Sequence, residues 1–181
     1  MNAPLPVVPP IPAELVGITD AEWQARVDLA ACYRLFAKMG WVESVFNHIT
    51  LRVPGDADGG PYYLINPFGL IYEEVTAANL LKVDREGRLA QPSSWKVNPA
   101  GFVIHTAIHA ARPDAHCVIH THTVPGMAVA ACEQGLLQLN QISAEFFQSV
   151  GSHPYEGVAF NLEERARIQA EVEGRTLVDA L

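Results

Sequence analysis

The chain has 181 residues, of which 49% are apolar and 18% charged, and it carries a formal net charge of −8. That length and apolar content supply one ordinary globular domain with a sizeable core and argue against a disordered chain. An acidic balance without any Lys/Arg run argues against nucleic acid or an anionic membrane surface as the main partner.

The first twelve residues hold five of the thirteen prolines and no charged side chain. Such a segment is neither a signal peptide nor a membrane span, so residues 1–18 read as a proline-rich extended arm ahead of a domain over residues 19–181. Thr19 can cap a helix, with Glu22 three residues on completing a reciprocal capping box. Trp23, Val27, Ala30, Ala31 and Leu35 recur at helical spacing until Gly40 ends the element. Residues 44–53 are rich in β-formers, alternate in their second half and close on Pro54-Gly55, which predicts a strand. Residues 62–66 read as its antiparallel partner, and Pro67-Phe68-Gly69 as a turn whose glycine leaves backbone open to close approach.

Residues 80–84 make a further strand, 85–88 a hairpin tip and 89–90 its return, so the pattern is a meander. Asn98-Pro99 opens a helix that continues through Phe102, Ile104, Ala107, Ile108 and Ala111. His105 and His109 sit four apart on it. Such a pair can chelate a metal, but the adjacent Glu of the His-Glu-x-x-His motif is missing, and packing or capping is the expectation.

The apolar run Cys117, Val118, Ile119 predicts a buried strand, whose period of two puts His120 and His122 on one face. Their Cα atoms then lie roughly 7 Å apart, close enough for both rings to converge on one cation at about 2.0–2.1 Å. The pattern has two readings, a metal half-site or merely the polar face of a half-buried strand. Further on, residues 123–133 read as a short Ala-rich helix, 136–139 as a strand, and 143–150 as either a strand or a helical turn. Asn161 and Glu164 form a second capping box opening a helix to Gly174, and residues 176–181 end that helix or lead into another strand. Cys32, Cys117 and Cys132, an odd number among apolar neighbours, read as reduced core residues, which fits a cytoplasmic compartment.

Four separated motifs carry a resemblance: Asn47-His48-Ile49-Thr50-Leu51-Arg52; Ile65-Asn66-Pro67-Phe68-Gly69-Leu70; Ile104-His105 through Ala111-Arg112-Pro113-Asp114-Ala115; and His120-Thr121-His122-Thr123. Together they resemble the class II aldolase/adducin family in its adducin-like bacterial form, over roughly residues 21–181. The resemblance implies an α/β fold, a three-layer α/β/α domain with a central, mainly antiparallel sheet, assembled as cyclic homotetramers with active sites between neighbouring subunits. It implies that His120 and His122 are ligands of a divalent transition metal, zinc first, with manganese or iron as alternatives. The family's third histidine belongs to an Asn-His-Gly segment further on. Here the one downstream histidine, His153, stands in Ser-His-Pro-Tyr-Glu-Gly, so either the chain ends before that ligand or the protein has lost it, and a missing C-terminal part of the domain is the expectation.

Two departures from the family pattern bear on chemistry. Family aldolases carry Ser-Ser-Glu where this chain has Pro99-Ala100-Gly101, and loss of a positioned general base typically removes about 10²–10⁴ in rate. The two serines that help hold a substrate phosphate are gone as well, leaving Asn47 and Gly69 as the substrate-binding candidates. Family epimerases, by contrast, keep an acid/base Asp twenty-five residues after the first zinc ligand, and Ser143-Ala144-Glu145-Phe146-Phe147 stands at that spacing. Glu145 is therefore the catalytic candidate, with a raised pKa if it is buried beside its aromatic neighbours; the plain alternative is a solvated or ion-paired carboxylate.

The resemblance thus implies a metal-dependent carbon–carbon lyase with enolate chemistry of the aldolase, decarboxylase or epimerase type, acting on a small hydroxy- or keto-compound. A non-catalytic assembly module like the adducin head is the alternative.

Overall fold

Helix α1 (Asp20–Met39) starts where the sequence places it: Thr19 Oγ1 accepts the Glu22 N–H at 3.1 Å, and Gly40 closes the element at φ 69°. The reciprocal half of the capping box is not made. The Glu22 carboxylate turns instead to Arg26 Nε and Lys82 Nζ, each at 2.9 Å. Arg26 is fully buried and donates through Nη1 to the Leu80 carbonyl at 2.7 Å. A buried guanidinium needs a carboxylate more than a helix N-terminus needs a second cap, and that decides where Glu22 points. Arg26 Nη2 also lies 2.9 Å from Glu22 Oε1, too far off line to count as a hydrogen bond.

The computed structural model describes residues 8–55, 60–147, 149–151, 153 and 162–178. Strands β1 (His48–Arg52), β2 (Tyr63–Ile65), β3 (Leu81–Val83) and β4 (Cys117–His120) form one antiparallel sheet in the order β3-β2-β1-β4. The return strand after β3 survives only as a single bridge between Val83 and Leu89. Side chains alternate across the sheet as the strand period requires. Ile49, Val53 and Leu64 pack with Leu29 and Tyr33 of α1, while Tyr63, Ile65, Leu81 and Val83 pack on the opposite side with Phe102 of α2 (Pro99–Ala111). Helix α5 (Leu162–Val178) lies against α2. Three layers result, as the α/β reading required. Each fully buried Leu or Ile contributes about 1.5–3 kcal/mol, well above a solvent-screened ion pair such as Arg88–Asp84, so the two apolar clusters hold the layers together.

Tyr33 is the polar centre of the first cluster. Its hydroxyl donates to the Ile49 carbonyl at 2.6 Å and accepts the N–H groups of Ile49 and Asn66, pinning β1 and the Asn66-Pro67 turn to α1.

Three expectations are corrected. Strand β4 lies at the sheet edge, with Cys117 exposed and Ile119 45% exposed, because α1 packs against β1 and leaves that side of β4 uncovered. All three cysteines are free, but Cys32 is only half-buried and Cys117 and Cys132 are exposed, so they are not core residues. Residues 136–139 form no strand; among the described residues no neighbouring strand pairs with them, and Leu139 is 80% exposed.

Thr123 caps α3 (Val124–Ala130), accepting the Gly126 N–H at 3.1 Å. The helical alternative is the one taken after it, as α4 (Gln141–Ala144) and the turn that follows. Helix α5 runs past Gly174 to Val178, whereas its Asn161 cap and residues 179–181 lie outside the described residues. Of the arm, residues 8–18 are described, and the Pro9 carbonyl accepts the Trp23 indole N–H at 2.6 Å.

Candidate metal centre

The antiparallel register sets His48 opposite His120, so the face of β1 that carries His48, Thr50 and Arg52 continues into the face of β4 that carries His120. His122 follows just past the strand. The Nε2 atoms of His120 and His122 stand 3.0 Å apart. Two nitrogens each about 2.0–2.1 Å from one tetrahedral cation would stand about 3.3–3.4 Å apart, so the pair fits a bidentate hold on a divalent ion with little movement. Burial, and then the neighbouring His122, hold the His120 pKa below its ordinary value and keep its lone pair available for a ligand role.

Glu43 was not foreseen. Its Oε2 lies 2.5 Å from His122 Nδ1, a contact that favours the ring proton on Nδ1 and leaves Nε2 to face His120. Carboxylates on the far nitrogen of metal-binding histidines commonly fix the tautomer in this way. Asn47 is buried at 1% exposure; its Oδ1 accepts the Glu43 N–H, and its Nδ2 donates to the His120 carbonyl at 3.4 Å. The side chain expected to contact substrate is thus engaged in joining the Glu43 loop to the end of β4. Gly69 adopts φ +97°, which favours glycine, and a Cβ there would meet nothing within 4 Å, so the turn offers open backbone as expected.

His48 was also missed. Its ring centroid is 4.7 Å from that of His120 and 4.4 Å from that of His105. Nδ1 lies 3.1 Å from the Phe46 carbonyl, while the buried Nε2 has no partner and faces Gly101 in the first turn of α2. Burial, reinforced by His120, pushes the His48 pKa down to about 4. His105 and His109 pack rather than chelate: His105 Nδ1 and His109 Nε2 both meet Thr50 Oγ1 at 2.8 Å, and His109 Nδ1 donates to the Ala115 carbonyl at 2.8 Å.

Glu145 sits in the turn after α4 and is exposed, as are Phe146 at 49% and Phe147 at 64%, so the expected burial beside its aromatic neighbours is not provided within one chain. His153 Nδ1 pairs with Glu171 Oε2 at 2.7 Å. Among the described residues, no group of three or more His, Cys, Asp or Glu side chains is arranged to hold a metal ion, and the convergence at the end of β4 is that of the His120–His122 pair. His48 alternated visibly with Thr50 in the sequence, but its place needed the β1–β4 pairing; Glu43, a lone carboxylate in a loop, gave no signal.

The pattern of the Class II Aldolase and Adducin N-terminal domain matches residues 27–179. The chain belongs to the class II aldolase and adducin family. It is 50% identical over 163 residues to the Pseudomonas aeruginosa "Putative aldolase class 2 protein PA3430", covering 90% of this chain and 61% of that one. It is 40% identical over 175 residues to alpha-adducin of Rattus norvegicus, covering 93% of this chain and 23% of the adducin. Among solved structures, an aldolase II superfamily protein from Pseudomonas syringae superposes with a TM-score of 0.80 at 46% identity, over 87% of this chain and 62% of that one. This class II aldolase-like chain therefore spans about three-fifths of the length of these two bacterial relatives.

Proposed function

We propose that His120 and His122 are the first two ligands of a divalent-metal site in a class II aldolase-type lyase, acting on a small hydroxy- or keto-compound. The observation that carries this reading is the convergence of the two Nε2 atoms with Glu43 on the outer nitrogen of His122. A divalent cation there, zinc first, with manganese or iron as alternatives, supplies Lewis acidity toward a substrate oxygen, favouring the charge that develops as an adjacent bond to carbon breaks.

The chain's own groups take the remaining roles. Glu43 orients His122, Asn47 fixes the Glu43 loop against β4, and the open backbone at Gly69 receives substrate oxygens. Glu145 moves the proton, since the family's aldolase carboxylate is Gly101 here and has no titrating group. Replacement of the phosphate-holding serines by Pro99 and Ala100 supports an unphosphorylated substrate at this centre. Val124, Leu139, Ile142 and Phe147 expose between 64% and 80% of their surface, which supports a homo-oligomer, a tetramer by family likeness, in the cytoplasm. A neighbouring copy that covers the Phe146-Phe147 turn would bury Glu145 and bring it to the next subunit's site. Among the described residues no helix is long and apolar enough to cross a membrane.

The adducin likeness, covering 93% of the chain, favours a second reading in which the same apolar surface serves assembly alone. Metal analysis of the purified protein beside its His120→Ala and His122→Ala variants separates the two. The lyase reading expects metal in the parent and little in either variant; equal content in all three ends it. In an active preparation, Glu145→Gln lowers kcat by about 10²–10⁴ with metal content unchanged, and parental turnover in that variant would remove Glu145 from the mechanism.

A further inference from the structure

A second concave site lies at the other end of β1. Arg52 is four residues from His48 on the same strand face, about 13 Å along the strand. There a cleft of about 380 Å³ is lined by Arg52, Arg85 and Arg165, with Thr106, His109 and Gln169 among its other walls. Among the described residues, no Asp or Glu lines it. The whole chain has 20 acidic residues against 12 Lys and Arg, so three arginines gathered in one cleft run against its balance.

These arginines have unused donors. Arg52 Nη2 donates to the His109 carbonyl at 3.0 Å, and its guanidinium stands 5.8 Å from the centre of the Tyr63 ring, but its Nε is buried with no partner. Arg85 and Arg165 make no hydrogen bond or ion pair among the described residues. His109 contributes a wall and not a donor, because Thr50 and Ala115 already occupy both of its ring nitrogens and the ring stacks on Tyr63 at 4.6 Å. Three like charges gathered around one cavity repel one another, and a multiply charged oxyanion relieves the repulsion while satisfying the open forks.

We propose that this cleft binds the phosphoryl group of a small phosphorylated molecule, at a site separate from the histidine half-site. Guanidinium forks match the paired oxygens of a phosphoryl group, and three of them match its multiple negative charge better than a single carboxylate. The cavity falls in the size range of small-molecule sites and exceeds what inorganic phosphate needs, so the phosphoryl group arrives as part of a larger ligand. The proposal does not rest on the lyase reading. Its residues include none of His120, His122, Glu43 or Glu145.

Isothermal titration of the protein with inorganic phosphate, pyrophosphate and citrate tests it. Pyrophosphate is expected to bind saturably and more tightly than phosphate, with citrate weaker than pyrophosphate. Arg85→Gln and Arg165→Gln should each weaken pyrophosphate about tenfold or more, since a charge-assisted hydrogen bond is lost, while His120→Ala leaves its affinity unchanged. Arg85 is exposed and Arg165 partly exposed, so neither substitution endangers the fold, and matching melting temperatures check this. Absence of saturable binding by either phosphate at millimolar concentration, or equal affinity in the parent and both arginine variants, overturns the site. Tighter binding of citrate than of pyrophosphate overturns the ligand class.

Discussion

The imidazole of His48 roofs Gly101: a Cβ at residue 101 would lie 2.3 Å from His48 Nε2 and 2.5 Å from both Cδ2 and Cε1. No side chain fits there while the ring holds its place. The two residues therefore act as an exchange pair, with the imidazole filling volume that a side chain at 101 would otherwise need. Gly101→Ala is expected to cost about 1–3 kcal/mol by overpacking. Much of that cost should vanish in a His48→Ala background, giving a coupling larger than about 0.5 kcal/mol in a double-mutant cycle read by urea denaturation. Additive behaviour would mean that the ring swings aside freely.

Glu43→Gln should weaken metal binding by about 10–100-fold, the usual effect of removing a carboxylate that orients a histidine ligand. Its effect on folding should stay below about 1 kcal/mol, because the Glu43 side chain is 51% exposed. Titration calorimetry with zinc gives the affinity and thermal unfolding the control. An unchanged affinity would make the Glu43–His122 contact incidental.

Acid should destabilise the metal-free protein well before its carboxylates are neutralised. His48 and His109 titrate near 4, and burial holds His105 well below its ordinary 6.5, so the fold favours all three in their neutral form. Well above pH 6.5 neither the folded nor the unfolded chain protonates them, and stability is at its full value. As the pH falls from 6.5 toward 4, the unfolded chain takes up protons that the folded chain refuses. At pH 5, His48 and His109 alone give a slope of about 2.4 kcal/mol per pH unit, and His105 steepens it. Urea midpoints measured at pH 7 and pH 5 with a chelator present should fall accordingly; equal midpoints would refute the burial of these rings.

The Glu22–Arg26 pair should behave unlike the chain's surface ion pairs. Arg26→Ala leaves the buried Glu22 carboxylate with only Lys82, and is expected to cost about 3–5 kcal/mol. Arg88→Ala removes an exposed, solvent-screened partner of Asp84 and should cost far less. Similar losses in both variants, measured by denaturant unfolding, would contradict the burial assigned to Arg26.

Local chemistry was legible in the sequence where a few adjacent residues decide the outcome. Thr19, Gly40, Asn98-Pro99 and Thr123 marked helix ends that the fold keeps, and the His-x-His spacing marked the meeting of His120 and His122, although β4 ends at His120 and His122 lies just past it. What stayed hidden depends on partners distant in sequence. Glu43 and His122 are 79 residues apart, and only the pairing of β1 with β4 brings them into contact. Glu22 matched a capping box, yet Arg26 and Lys82, the latter 60 residues away, claim its carboxylate. Leu136, Leu137 and Leu139 looked like a strand because apolar spacing alone does not reveal whether another strand is available to pair.

The position of β4 at the rim of the sheet also bears on solubility. One side of its backbone is bonded to β1, and among the described residues no strand takes the other, which leaves a row of amide groups beside the exposed Ile119. Such a row is a template onto which another chain can add by edge-to-edge pairing. The chain has no proline or lysine between Cys117 and Thr121 to discourage that pairing. Protein handled at high concentration should therefore self-associate through β4, and a charge introduced by Ile119→Lys should raise its solubility without disturbing the His120 side, since the two side chains lie on opposite faces of the strand.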